Sequence, residues 1–160
     1  MSLKVLQAVT VVLLALVMGV FWGTWFTLTR SLETFSPSEF IHIGKTIIAN
    51  VKTPMQILMP LTLVVVAACC WLTPDKRSAS FYFQLVALLL AVVALVITVG
   101  VEVPIDNQIK TWTAETIPNN WTTLRARWNA FHAARTFVSI AAVASMTCGA
   151  LVTKPRTTSV

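Results

Sequence analysis

The chain has 160 residues, of which 56% are hydrophobic and only 11% are charged. Soluble domains carry about 25% charged residues, so the composition excludes an ordinary soluble domain and indicates a single integral membrane domain over residues 1–160. The net charge of +6 does not indicate nucleic-acid binding, because Lys and Arg are spread over short loops and chain ends, where they set membrane topology.

Four apolar segments approach the length needed to cross a bilayer as a helix. They run over about residues 5–29, 55–73, 80–104 and 130–152, close to the ~20 residues that a span requires. The first segment is too long for a secretory signal peptide and ends in bulky FWGTWF rather than in a small-residue cleavage site. The pattern therefore predicts an all-α fold, a bundle of four transmembrane helices.

Span 1 contains a GxxxG pair, Gly19 and Gly23, with Thr27 one turn further on. Small residues at this spacing let two helices approach closely in a membrane. The pair predicts an oligomer contact through the Gly19/Gly23 face. The alternative is a chance occurrence in a helix that tolerates glycine.

An amphipathic segment follows span 1. Residues 36–39 read SPSE, a helix N-cap followed by a proline and an acidic first turn. The next residues, which include His42, place four apolar side chains on one helical face. This pattern predicts an amphipathic helix at the membrane interface between spans 1 and 2. Its apolar face consists of Phe40, Ile43, Ile47 and Val51.

An even number of spans places both termini on one side of the membrane. That side carries Lys4, Lys76, Arg77, Lys154 and Arg156 in very short segments, whereas six cations on the other side are spread over two long loops. Positive charge is denser in cytoplasmic loops. The distribution therefore predicts that both termini are cytoplasmic.

Tryptophans gather near the long loops. Belts of aromatic residues usually mark both faces of a membrane, but here only Trp71 marks the face with the termini. An aromatic-lined pocket at the long-loop face is therefore an alternative to a belt. The tryptophans on that side are Trp22, Trp25, Trp112, Trp121 and Trp128.

The segment WTTLRARWNAFHAAR, residues 121–135, leads directly into span 4. Its spacing of three and four residues places polar and aromatic side chains on one helical stripe. Charge inside a membrane is costly, so ionisable side chains that enter it mark a candidate site. The stripe consists of Arg125, Trp128, His132 and Arg135.

Glu102, near the end of span 3, matches the depth of this stripe. At ~1.5 Å per residue, it lies level with His132 and Arg135 near the start of span 4. A carboxylate and a guanidinium inside a membrane are expected to pair. We therefore predict that Glu102 contacts Arg135 or His132. An outer tier is expected from Asp106, Asn107 and Arg125.

Three interpretations of this cluster are open. His132 could be a general base, oriented by Glu102 and flanked by Trp128 for stacking of an aromatic substrate. His42 and His132, with Glu102 or Asp106, could instead bind a metal, a ligand set that suits non-haem iron or zinc. The third interpretation is an ion-pair and hydrogen-bond network that holds spans 3 and 4 together. The residue pattern does not identify a cofactor.

The stretch VEVPIDNQIKTW, followed by W-x2-LRARW-x3-H-x2-RT, resembles the anthrone-oxygenase-like family of small four-helix membrane proteins. The stretch SPSEFIHIGKTIIANVKTPMQILMP resembles that family's segment between spans 1 and 2. The likeness covers most of the chain and is strongest from Glu102 to Thr136. The residues that carry it are Pro104, Asn107, Trp121, Arg125, Trp128, His132 and Arg135.

The resemblance implies a membrane oxidoreductase that oxidises anthrones or similar phenols without a classical flavin or haem, although most members of the family have no assigned activity. His132 or Glu102 would take a phenolic or C–H proton, and Arg125 or Arg135 would stabilise the oxyanion. Its expected partners are the lipid bilayer and a lipophilic small molecule. The alternative is a non-catalytic protein that binds a lipid or quinone, or a structural subunit. The predicted catalytic residues are Glu102, Arg125, His132 and Arg135, and the predicted substrate-binding residues are Trp25, Asn107, Trp121 and Trp128.

Overall fold

The computed structural model of the chain describes residues 2–153. These residues form helices and no strand, which confirms the all-α prediction. Four segments are long and apolar enough to cross a membrane, namely Leu3–Thr34, Pro37–Leu72, Ala79–Ile109 and Trp121–Leu151. The chain is therefore a multi-pass membrane protein. Its elements are α1 (Leu3–Thr27), a 3-10 turn (Thr29–Thr34), α2 (Pro37–Leu72), α3 (Ala79–Ile97), a π turn (Thr98–Glu102), α4 (Val103–Ile109) and α5 (Trp121–Leu151).

The predicted amphipathic segment is helical, but it is not a separate element, because it continues into span 2 as the 36-residue helix α2. Ser36 caps this helix in a capping box with Glu39. Pro54 and Pro60 lie inside it, where membrane helices tolerate prolines more readily than soluble ones do. At ~1.5 Å per residue, α2 is about 54 Å long. It exceeds the ~30 Å hydrocarbon core, so part of it extends beyond that core.

The apolar face of this segment packs against the protein. Phe40 is only 4% exposed and belongs to a buried cluster with Leu32, Ile105 and Trp112. This contact joins the start of α2 to the 3-10 turn and to α4. The 3-10 turn and the loop after α4 thus cover the start of this face, and the location of the helix at the membrane interface stays a prediction.

Span 3 extends past its predicted end and changes register on the way. The Val103 N–H donates to the Thr98 carbonyl, five residues back, in the π turn. Pro104 has no N–H, and in a regular α-helix its ring would collide with the Gly100 carbonyl. The wider π turn directly before Pro104 relieves this conflict. Glu102, the last residue of the π turn, has no exposed surface.

Polar side chains tie the helices together at the end of the bundle opposite the long loops. Gln7 Nε2 donates to Thr153 Oγ1 at 2.8 Å, and Ser80 Oγ donates to the Gly149 carbonyl at 2.8 Å. Gln84 Nε2 donates to Ser80 Oγ at 2.9 Å. These contacts bring both ends of the described chain to the same end of the bundle, as four spans require.

Gly149 is expected to be sensitive to substitution, because α3 and α5 approach closely there. A Cβ at this position would lie 3.2 Å from Phe83 Cβ and 3.2 Å from the Ser80 backbone oxygen. We expect Gly149→Ala to lower the unfolding free energy by about 1–3 kcal/mol. Gly19→Ala is the matched control, since its Cβ would meet no atom within 4 Å. Equal thermal unfolding of the two variants in detergent would contradict this packing.

The GxxxG pair does not mediate packing inside the chain. A Cβ added to Gly19 or Gly23 would meet no atom within 4 Å in the described part of the protein. Close helix approach through these glycines would therefore require another molecule. The oligomer contact through this face stays a prediction.

Candidate functional site

A cavity of about 420 Å³ lies between α1, α2, the α3–α4 segment and α5, toward the long-loop end. This volume falls within the range of about 300–1,000 Å³ that is usual for small-molecule sites. Most of the wall is apolar, and it includes Phe21 from α1 and Val51 from α2. Polar groups in the wall include Lys52, Asp106, Asn107, Lys110, His132 and Arg135.

Arg135 pairs with Glu102 beneath this cavity. Arg135 Nη2 lies 2.9 Å from Glu102 Oε2, and the two residues are 8% and 0% exposed. Arg135 Nη1 also donates to Thr98 Oγ1 at 3.2 Å, and the guanidinium lies 4.4 Å from the centroid of the Phe21 ring. The predicted contact between spans 3 and 4 is confirmed. It joins the π turn to α5 just below the cavity.

Both ring nitrogens of His132 are engaged. Arg135 Nε and Nη2 lie 3.3 and 2.7 Å from His132 Nδ1. A guanidinium has only donors, so Nδ1 accepts and the ring hydrogen is on Nε2. Nε2 therefore donates to the Phe21 carbonyl at 3.1 Å. The only lone pair of this neutral ring is already used, so His132 can take a proton only by losing its contact with Arg135.

A stacked tryptophan connects His132 to a carboxylate in the cavity wall. The rings of Trp128 and His132 are parallel within 10°, with centroids 4.8 Å apart. Trp128 Nε1 donates to Asp106 Oδ1 at 3.1 Å. Within the described residues, no donor contacts the other carboxylate oxygen of Asp106. One helical turn further on, Lys110 Nζ donates to Asn107 Oδ1 at 2.9 Å.

Three residues predicted for the site lie elsewhere. Arg125 Nη1 donates to the Leu32 carbonyl at 2.8 Å, and its guanidinium lies 4.8 Å from the centroid of the Trp121 ring. Trp25 makes an edge contact with Phe137, with ring centroids 5.2 Å apart. None of Arg125, Trp121 and Trp25 is among the described residues that line the cavity. Arg125 therefore does not join Asp106 and Asn107 in the expected outer tier of the site. Its side chain instead connects α5 to the 3-10 turn.

The predicted metal ligands do not come together. In residues 2–153, no group of three or more His, Cys, Asp or Glu side chains is placed to hold a metal ion. His42 is exposed on α2 and does not line the cavity. His132 has no free nitrogen, so the set with Glu102 and Asp106 does not fit non-haem iron. The metal interpretation is corrected on this geometry.

The α2 wall is the part of the site that sequence reasoning missed. Ile47 and Val51 were assigned to a membrane-facing surface, yet both line the cavity together with Lys52. Pro60 lines the same wall, and its missing N–H leaves the Gln56 carbonyl without its usual helical donor. Two prolines within one span were the available signal that this part of α2 lacks some of its helical hydrogen bonds.

The chain matches a known protein family. A family model described as anthrone oxygenase matches residues 47–145, more than half of the chain. The matched part contains the α2 wall of the cavity, the whole π turn, and α5 from Trp121 to Ser145, which includes Arg135. No curated protein and no solved structure matches the chain.

Proposed function

This chain belongs to the anthrone oxygenase family, and from that premise we propose that it is a membrane oxidoreductase of lipophilic anthrone- or phenol-type substrates. The observation that carries the proposal is the cavity of about 420 Å³, which has mainly apolar walls and a few polar groups at one end. Such a wall suits a flat lipophilic molecule, and its polar groups suit a phenol or a ketone. Trp128 and Asn107 lie in this wall and are the proposed substrate contacts.

The proposed reaction converts an anthrone and O₂ into an anthraquinone and water. The methylene carbon opposite the carbonyl loses a proton, and the electron pair of its C–H bond enters the conjugated ring system. O₂ accepts these electrons and bonds to that carbon. One oxygen atom remains as the new carbonyl, and the other leaves as water with the two methylene hydrogens. The substrate is thereby oxidised and O₂ is reduced.

Arg135 is the proposed stabiliser of the oxygen anion that forms when the proton leaves. It lines the cavity, and a fixed cation beside a developing negative charge lowers the barrier. Glu102 and His132 both contact this guanidinium. We assign them the role of holding it in place, which revises the sequence-based expectation that one of them is the base.

A non-catalytic protein that binds a lipid or quinone is the second candidate. The mainly apolar wall favours it, since such a ligand needs only apolar contact and one or two polar groups. A purely structural subunit is less well supported, because a bracing network of Glu102, His132 and Arg135 does not need an adjoining void of about 420 Å³.

The test uses the purified full chain in lipid nanodiscs with an anthrone as substrate. Oxygen uptake and anthraquinone absorbance are followed together, and elemental analysis of the same preparation measures its metal content. We expect one O₂ consumed per anthrone, well above the rate in empty nanodiscs. Binding of anthraquinone without turnover would favour the lipid or quinone binder. If the protein neither binds anthraquinone nor oxidises the anthrone, both candidate functions are overturned.

We also propose that both termini face the cytoplasm. The two ends of the described chain meet at one end of the bundle, and Lys76 and Arg77 follow α2 at that end. Lys154 and Arg156, which entered the charge count, lie outside the described residues. A reporter fused to the C-terminus should be active only as a cytoplasmic fusion, and activity on the opposite side would refute the orientation.

A further inference from the structure

The cavity wall contains one carboxylate that the proposed reaction has not yet used. We propose that Asp106 is the base that removes the proton from the substrate carbon, an inference that rests on the proposed function. Asp106 lies on α4, one turn after the π turn. It is the only Asp or Glu among the described residues that line the cavity.

The other candidate bases are unsuited by position. His132 uses its lone pair to accept from Arg135 and its N–H to donate to the Phe21 carbonyl. Glu102 is fully buried and is absent from the cavity wall. Proton abstraction requires the base to reach within about 2.6–3.2 Å of the donor atom, directly or through one water. Asp106 borders the cavity, so its carboxylate can approach a molecule bound there, whereas Glu102 does not border it.

The Asp106 carboxylate is also held in a fixed orientation. Trp128 Nε1 donates to Oδ1 at 3.1 Å, and the Trp128 ring stacks on His132. His132 is held in turn by Arg135 and by the Phe21 carbonyl. This chain of contacts joins α4 to α5 and α1. It leaves Oδ2 without a donor from the described residues, so that oxygen is available to a ligand.

The proposed step conserves charge and atoms. A proton moves from the methylene carbon of the anthrone to Asp106 Oδ2, and the carbon's electron pair delocalises onto the substrate carbonyl oxygen. That oxygen becomes an enolate anion. Arg135 and Lys110 line the same cavity and supply positive charge to it. O₂ then accepts the electrons in the step described above.

The first test is Asp106→Asn. The amide oxygen of Asn still accepts from Trp128, so the fold and the cavity are expected to persist while the base is lost. We expect the oxidation rate to fall by about 10²- to 10⁴-fold, the usual contribution of a general base. Anthraquinone binding, followed by tryptophan fluorescence, should be unchanged. Asp75→Asn is the matched control, because Asp75 is exposed in the turn between α2 and α3.

A second measurement isolates proton removal from oxidation. Without O₂, the wild-type protein should accelerate exchange of the anthrone methylene hydrogens with D₂O, and Asp106→Asn should not. Asp106→Glu keeps a carboxylate, so its exchange should be faster than that of Asp106→Asn. Equal exchange rates in these two variants, or wild-type exchange in Asp106→Asn, would overturn the assignment.

The two proposals fail in different ways. A wild-type protein that neither binds anthraquinone nor accelerates exchange or oxidation overturns the proposed function itself. A wild-type protein that oxidises anthrones, together with a fully active Asp106→Asn variant, overturns only the role of Asp106. Loss of exchange with retained anthraquinone binding in Asp106→Asn supports both.

Discussion

Arg135→Met is expected to lower the free energy of unfolding by about 3–5 kcal/mol, the usual cost of leaving one member of a buried ion pair alone. Glu102 has no exposed surface, and Arg135 Nη2 is 2.9 Å from its Oε2. Neither carboxylate oxygen has an aligned hydrogen bond within the described residues, so the attraction is mainly between charges. Unfolding in detergent measures the loss. Arg127→Met, at an exposed position of α5, should change stability by less than about 0.5 kcal/mol.

Removing both charges completes this experiment. The double variant Glu102→Leu/Arg135→Met has no unpaired buried charge, and such replacements are often neutral or stabilising by about 1–4 kcal/mol. The loss of the donors to His132 offsets part of that gain, by about 1–3 kcal/mol. We therefore expect the double variant to be far more stable than Arg135→Met. A double variant as unstable as the single one would contradict the ion pair.

The same double variant separates bracing from chemistry. It should fold, yet oxidise anthrones much more slowly than the wild-type protein, because Arg135 no longer stabilises the oxygen anion. Full oxidation by a folded double variant would remove Arg135 from the mechanism. The stability result and the activity result are independent, so each role of the guanidinium is tested separately.

The contact between Glu102 and Arg135 could be predicted because the membrane limits the alternatives. Charged groups inside an apolar span have few partners at their own depth, and counting residues along two antiparallel helices gives that depth. His132 and Trp128 followed from the same stripe on α5. Their contacts could not be read from the sequence, since His132 Nε2 donates to the Phe21 carbonyl of a different helix, α1, and the packing of the helices sets that approach.

Other residues could not be placed in advance because their partners lie in loops. Arg125 is on the predicted stripe, but its long side chain reaches the Leu32 carbonyl at the 3-10 turn. That carbonyl is available because the short 3-10 helix ends soon afterwards. The path of the loop between α1 and α2 is set by packing against Phe40 and Trp112. No spacing pattern within α5 reports on that packing.

The cavity itself is hidden from sequence for a similar reason. Val51 and Ile57 are both β-branched and lie on α2, yet Val51 lines the cavity and Ile57 is 65% exposed on the outer surface. The same types of apolar residue occur on a membrane helix whether its surface faces lipid or a cavity. The cavity-facing side of α2 differs from its outer side only in the position of α2 relative to α5, and the apolar pattern of α2 does not report that position.

Filling the cavity from its apolar wall is expected to abolish function without disturbing any charge. Val51→Trp places an indole where the substrate is proposed to lie, and misplacing a substrate by about 1 Å can cost about 10²-fold in rate. We expect anthraquinone binding and anthrone oxidation to fall by at least that factor. Thermal stability should be retained, because the void of about 420 Å³ accepts the added ring.

Ile57→Trp is the matched control for this variant, since it adds the same side chain to the lipid-facing side of the same helix. It should bind and oxidise like the wild-type protein. Equal activity of Val51→Trp and Ile57→Trp would place the substrate outside the cavity, whatever residues carry the chemistry. Loss in Val51→Trp alone would place the ligand beside Asp106 and Arg135, because all three residues border the same void.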